Sequence, residues 1–189
     1  DQTMGEWVPF PESNIPEWGN TNPNDVAACI TKSAQIQKKH FPGSKTSVLL
    51  DSKSYPVGNS WDGGSYSSLV PYVKNIPKGL IDSFGLQGYP WPDPDPDHNA
   101  AHFLNPQLAK DAANQLGVKE IWLSTGTFAK GTAWNGQVFS LTPLERQAIL
   151  ADILNQAKQL KSGGFNVSVH IFAEDKMTTA EGNNWSYWS

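Results

Sequence analysis

NPQLAKDAANQLGVKEIWLST, residues 105–125, decides the fold. Asn105-Pro106 supplies an N-cap followed by a first-turn proline, a position where a missing N–H costs nothing. Leu108, Ala112 and Leu116 recur on one helical face, and Gly117 closes the helix. Glu120–Thr125 follows as a short apolar run with a β-branched residue and an aromatic, which reads as a strand covered on both faces. A capped helix running straight into a buried strand is one step of a parallel sheet with helical crossovers.

Four more segments read as strands of the same kind: roughly Glu6–Pro11, Thr46–Asp51, Ser83–Gly88 and Val167–Phe172. Helices separate them. From Asn24, the residues Val26, Cys29, Ile30, Ala34 and Ile36 approximate a buried stripe that ends near Lys39. Tyr66–Ile76 predicts a weaker helix, because Pro71 inside it kinks or restarts the turn. Thr142-Pro143-Leu144-Glu145 is a capping box with proline at the first position. Ile149, Ile153, Ala157 and Leu160 carry the stripe of that helix, and Gly163-Gly164 ends it.

Strand and helix alternate at about forty residues per unit, the βα pattern with right-handed crossovers. The expected fold is α/β of the (β/α) barrel type, a partial TIM barrel of about five parallel strand–helix units in one domain over residues 1–189. A closed eight-stranded barrel takes about 250 residues, so an open five-stranded sheet is the competing architecture. A partial barrel leaves strand edges unpaired, and a complementary barrel segment or a homodimer is the expected remedy.

The 14 basic and 18 acidic residues give a net charge of -4, and no basic stripe stands out, so nucleic acid is excluded as a partner. Apolar runs such as Val48-Leu49-Leu50 are far too short to cross a bilayer, so no membrane association is expected. The single cysteine, Cys29, rules out an intrachain disulfide or a cysteine metal cage and reads as a buried small hydrophobe. Asp1 is not a methionine and no signal peptide is present, as in a processed protein or a fragment. No serine elbow, phosphate loop or dinucleotide fingerprint occurs, and no cofactor is expected.

Parallel α/β folds bind ligands at the C-terminal ends of their strands. All five strand ends carry polar residues: Pro11 to Asn14; Asp51 to Tyr55; Gln87 to Trp91; Ser124 to Phe128; Glu174 to Lys176. Carboxylates so placed suit glycoside hydrolysis, which needs a proton donor and a nucleophile or base. Glu12, Asp51 and Glu174 are the catalytic candidates. Their competing readings are a solvated loop glutamate, an aspartate capping its loop, and a salt bridge to Lys176. Lys53 beside Asp51 would keep it ionised.

Trp18, Lys53, Gln87, Tyr89, Trp91 and Asp175 are the substrate-binding candidates. The aromatics offer platforms for sugar rings and the polar groups take hydroxyls. Trp61 and Trp122 are further platforms, Trp122 being the one most suited to the core between Ile121 and Leu123. His170, inside a strand, reads as a satisfied core histidine. Asp93, Asp95 and Asp97 alternate with prolines and lack EF-hand spacing, and His98 with His102 lacks a third ligand, so no metal is expected.

With these residues in order, the chain resembles the C-terminal part of a TIM-barrel glycoside hydrolase, similar to the clan of endoglucanases and mannanases. Trp7 to Trp18 would be its fourth strand, Phe84–Trp91 its sixth, Ile121–Phe128 its seventh and Phe172–Lys176 its eighth. The resemblance implies a secreted or extracellular hydrolase acting on a polysaccharide or oligosaccharide, with Glu12 as general acid/base. The chain departs from the clan in two places. Pro11 stands where asparagine is usual, and Ser124-Thr125-Gly126-Thr127 where the nucleophilic glutamate is expected. The second carboxylate would then come from Asp51, Glu174 or Asp175; otherwise the retaining mechanism is lost, or the strand count is shifted. A non-catalytic carbohydrate-binding protein on a degenerate (β/α) barrel is the alternative.

Overall fold

The computed structural model describes residues 6–8, 13–14, 22–52, 66–88, 104–126, 130–132 and 138–171. The five expected strands are present: β1 (Glu6–Trp7), β2 (Lys45–Asp51), β3 (Ser83–Gln87), β4 (Glu120–Thr125) and β7 (Asn166–Ile171). The first predicted strand, Glu6–Pro11, is seen as Glu6–Trp7, Val8 already lies beyond it, and residues 9–11 are outside the described residues. Among the described residues four helices accompany them: α1 (Pro23–His40), α2 (Val70–Val73), α3 (Pro106–Leu116) and α4 (Pro143–Ser162).

The sheet order is β1-β2-β3-β4-β7, and every neighbouring pair is parallel. Chain order and spatial order therefore coincide. Crossovers of one hand advancing in one direction put all helices on the same face, whereas a doubly wound sheet reverses direction and covers both. One apolar cluster joins all four helices to a single side of the sheet. In it Val26 and Ile30 of α1, Val73 of α2, Leu108 and Leu116 of α3, and Ile153 and Leu160 of α4 meet Val48, Leu50, Phe84, Leu86, Ile121 and Leu123. The architecture is thus a wall of a (β/α) barrel, with a helical outer layer and an inner face on which no described helix packs, buried at β2 and β3 and partly exposed at β4 and β7.

The long helices keep the caps their sequences announce. Asn105 accepts from the Gln107 N–H, and Gly117 ends α3 in the left-handed region at φ 77°. In α4 the Thr142 hydroxyl accepts from the Glu145 N–H while the Glu145 carboxylate accepts from the Thr142 N–H at 2.7 Å. The Thr142 hydroxyl, which also donates to the Glu145 carboxylate at 2.7 Å, and then the Thr142 N–H hold that carboxyl below its usual range. Its contribution is therefore present above the unfolded-state pKa and is lost as pH falls through the folded one. Thr142→Ala should cost about 1 kcal/mol near neutrality. The melting-temperature gap from the parent should narrow as pH drops below the ordinary glutamate range, down to the part carried by the Glu145 N–H bond to the Thr142 hydroxyl, and a gap independent of pH would refute the capping box.

Four expectations change. Only Val70–Val73 of the stretch Tyr66–Ile76 is helical: Pro71 sits in the first turn and starts the helix, and the Tyr66 N–H bonds instead to the Ser52 carbonyl at 3.2 Å. The buried residues of α1 are Val26, Ala27, Ile30, Ala34 and Gln37, an arc of about 100° at 3.6 residues per turn. Cys29 and Ile36 fall outside that arc and are exposed, not core. An unforeseen antiparallel hairpin, β5 (Lys130–Thr132) and β6 (Val138–Ser140), stands between β4 and α4; strands of three residues carry too little periodicity to read. The fourth change, at His170, belongs to the inner face. No helix among the described residues is long and apolar enough to cross a membrane.

Candidate functional site

Strand side chains alternate between faces, so the residues beside Val48, Leu50, Phe84, Leu86, Ile121 and Leu123 turn to the side away from the helices. The parallel register aligns them in three rows across β2, β3, β4 and β7. The first is Ser47, Ser83, Glu120 and Asn166; the second Leu49, Gly85, Trp122 and Ser168; the third Asp51, Gln87, Ser124 and His170. The third row lies at the C-terminal strand ends, where the chemistry of parallel α/β folds collects.

The lower rows form a hydrogen-bonded floor. The Trp122 indole starts on β4, crosses β3 over Gly85 and donates from Nε1 to the Ser47 hydroxyl on β2 at 2.6 Å. A Cβ on Gly85 would meet the indole at 2.5 Å, so the glycine is what lets the ring cross. The Ser47 and Ser83 hydroxyls lie 2.7 Å apart, and Ser83 donates to the Glu6 carboxylate, also at 2.7 Å. Beneath them Lys45 reaches Glu120 at 3.0 Å, and that hydrogen bond and charge raise the lysine pKa.

At the strand ends Asp51 is buried, and a side chain from a distant turn holds its backbone. The Asn14 amide donates to the Asp51 carbonyl and accepts from the Asp51 N–H, both at 2.8 Å. The Tyr66 hydroxyl donates to the Asn14 carbonyl, and its ring meets Tyr72 edge-on at 5.6 Å. Burial, then Tyr72 and the Asp51 charge, push the Tyr66 phenol far above its ordinary pKa, so it stays a neutral donor. The ladder runs beyond the strands: Ser52 N–H donates to the Gln87 carbonyl at 2.8 Å and Gly88 N–H to the Ser124 carbonyl at 3.1 Å. The hydroxyls of Ser13, Ser52 and Thr125 are buried at this end without a hydrogen bond, an uncommon state for buried polar groups.

Of the residues singled out from the sequence, Asp51 and Gln87 are direct neighbours in this row. Glu12, Trp18, Lys53, Tyr89, Trp91, Glu174 and Asp175 lie outside the described residues, as do Trp61, the Asp93–Asp97 run, His98 and His102. His170 is not a core histidine. It is exposed on β7, with its ring 5.3 Å from the Trp122 ring and Nε2 3.1 Å from the Ser168 hydroxyl. Asn166, Ser168 and His170 alternate with Val167 and Val169, a period of two that marks a strand covered on one face only. That signal was in the sequence. Asn14 and Tyr66 carried none, since their roles rest on contacts 37 and 52 residues away.

No protein-family model and no curated protein sequence matches the chain. Solved structures share its shape. A glycoside hydrolase family 17 beta-1,3-glucanosyltransferase from Rhizomucor miehei aligns over 97% of this chain and 59% of its own, with TM-score 0.50 and 14% identity. A family 1 β-glucosidase from Thermotoga maritima aligns over 85% of this chain and 50% of its own, with TM-score 0.50 and 12% identity. The chain thus spans between half and three fifths of the length of these two proteins. The likeness bears on fold: the strand–helix units resemble those of TIM-barrel glycoside hydrolases.

Proposed function

We propose that the chain is the site-bearing part of a secreted or extracellular glycoside hydrolase acting on a polysaccharide, with Glu12 as general acid/base and Asp51 as the second carboxylate. The observation that carries this reading is the row Asp51, Gln87, Ser124 and His170 at the strand ends of a singly wound parallel sheet. An acid and a base on opposite sides of a glycosidic bond are the minimum machinery for its hydrolysis. Asp51 has the fixed backbone such a group needs, through Asn14. Gln87 beside it suits a sugar hydroxyl. Glu174 and Asp175, after β7, remain further candidates for contact with the substrate. A complementary barrel segment or a second copy of the chain would meet the outer edge of β7.

Hydrolysis of soluble β-linked polysaccharides by the parent and by Glu12→Gln tests the assignment. The variant should lose about 10²–10⁴-fold in kcat, the usual contribution of a general acid. Equal activity in both proteins removes Glu12 from the reaction. One observation favours a second reading, a carbohydrate-binding protein without catalysis: the inner face of β4 ends in Ser124, not a carboxylate. In that case both proteins would bind oligosaccharide with the same affinity and hydrolyse none.

A further inference from the structure

One residue, Tyr66, ties the C-terminal end of β2 to two other parts of the molecule. Its N–H donates at 3.2 Å to the carbonyl of Ser52, the residue that follows Asp51. Its hydroxyl donates to the carbonyl of Asn14, whose own amide is spent on the N–H and carbonyl of Asp51. Its ring meets Tyr72, a buried residue of α2, with an interplanar angle of 79°. Asp51 is therefore held from the Asn14 turn on one side and from Ser52 on the other, with Tyr66 bonded to both. Asn14 is fully buried, so without the phenol its carbonyl would lose this donor in a place closed to water.

Glu12 lies two residues before Asn14, so chain length alone keeps its Cα within about 7 Å of the Asn14 Cα. Both carboxylates of the proposed pair thus depend on the same turn for their separation. That separation decides whether a carboxylate or an intervening water attacks the sugar, and a misplacement of about 1 Å can cost about 10²-fold in rate. We propose that Tyr66 is a positioning residue for hydrolysis: through Asn14 it fixes Asp51 at its distance from the chain at Glu12. The inference rests on Asp51 and Glu12 being the reacting pair and adds the residue that aligns them. Burial keeps the phenol neutral, so the hydroxyl goes on donating at every pH where a carboxylate pair works.

Steady-state hydrolysis of soluble β-linked polysaccharides by Tyr66→Phe, Asn14→Ala and the double variant tests the proposal. Each is assayed at a temperature where circular dichroism shows it folded, so that a role in stability alone leaves kcat unmoved. Tyr66→Phe keeps the ring against Tyr72 and removes only the hydroxyl. Its kcat should fall tenfold or more, with KM within twofold of the parent. The double variant should match Asn14→Ala within twofold, because two residues that act in one chain of bonds do not lose rate independently. Should Asn14→Ala not fold, the split between kcat and KM in Tyr66→Phe decides alone. Three results overturn the proposal: kcat within twofold of the parent in Tyr66→Phe, a raised KM at unchanged kcat, or losses that multiply in the double variant. If Glu12→Gln abolishes hydrolysis in that event, the proposed activity stands without this role for Tyr66. A parent that hydrolyses none of the polysaccharides removes both.

Discussion

Phe84→Ala is expected to lower the unfolding free energy by about 3–5 kcal/mol, as for other large aromatic truncations in a core. Phe84 is among the largest fully buried side chains and sits mid-sheet on β3, inside the cluster that joins the sheet to the helices. Removing its ring loses the transfer free energy of the apolar atoms and leaves a cavity that two rigid layers cannot close. Urea unfolding followed by circular dichroism measures it, with Leu144→Ala as the reference. Leu144 is 75% exposed, so its truncation should stay within about 0.5 kcal/mol. A loss below about 1 kcal/mol at Phe84 would mean that the helix-facing side is not where the stability lies.

Asn14→Ala should cost about 2–5 kcal/mol, because two buried backbone groups of Asp51 lose their partners and each unsatisfied group costs about 1–3 kcal/mol. Asn14 is fully buried, so water cannot replace the amide without opening the turn. Asn14→Asp discriminates the cause. It retains an acceptor for the Asp51 N–H but offers the Asp51 carbonyl no donor, and it places a second carboxylate near the first. It should be no better tolerated than alanine at neutral pH. The same unfolding experiment reads both variants, and a change under about 0.5 kcal/mol would show that Asn14 does not hold the end of β2. Since Asn14 positions Asp51, these variants should also lose activity beyond their loss of stability if Asp51 acts on substrate.

The fold was largely legible because its determinants are local or periodic. Asn105-Pro106 with Gly117, and Thr142 with Glu145, set the bounds of α3 and α4 within a few residues of chain. The apolar runs of β2, β3 and β4 announced strands covered on both faces, which holds for β2 and β3, whereas β4 is buried on the helix side and half-buried on the other. The helix-facing core followed, with Ile153 and Leu160 buried where the stripe placed them. The site was legible in part. Asp51 and Gln87 were found by their place at strand ends, and the register makes them neighbours. His170 was misread because a strand with alternating Val and polar residues was taken as covered on both faces.

By itself the sequence determined the strands of the parallel sheet, the three long helices and their alternation, because caps, turns and hydrophobic period act over a few residues. It also placed polar residues at the strand ends. Only the tertiary structure decided that the described helices share one face, and hence that the polar strand-end row lies on the other. The same holds for which polar residues meet. Trp122 bonds to Ser47 across 75 residues of chain, passing over a glycine on the strand between, and Asn14 secures Asp51 from 37 residues away. Such contacts depend on strand register and on a missing side chain, which no short-range pattern encodes.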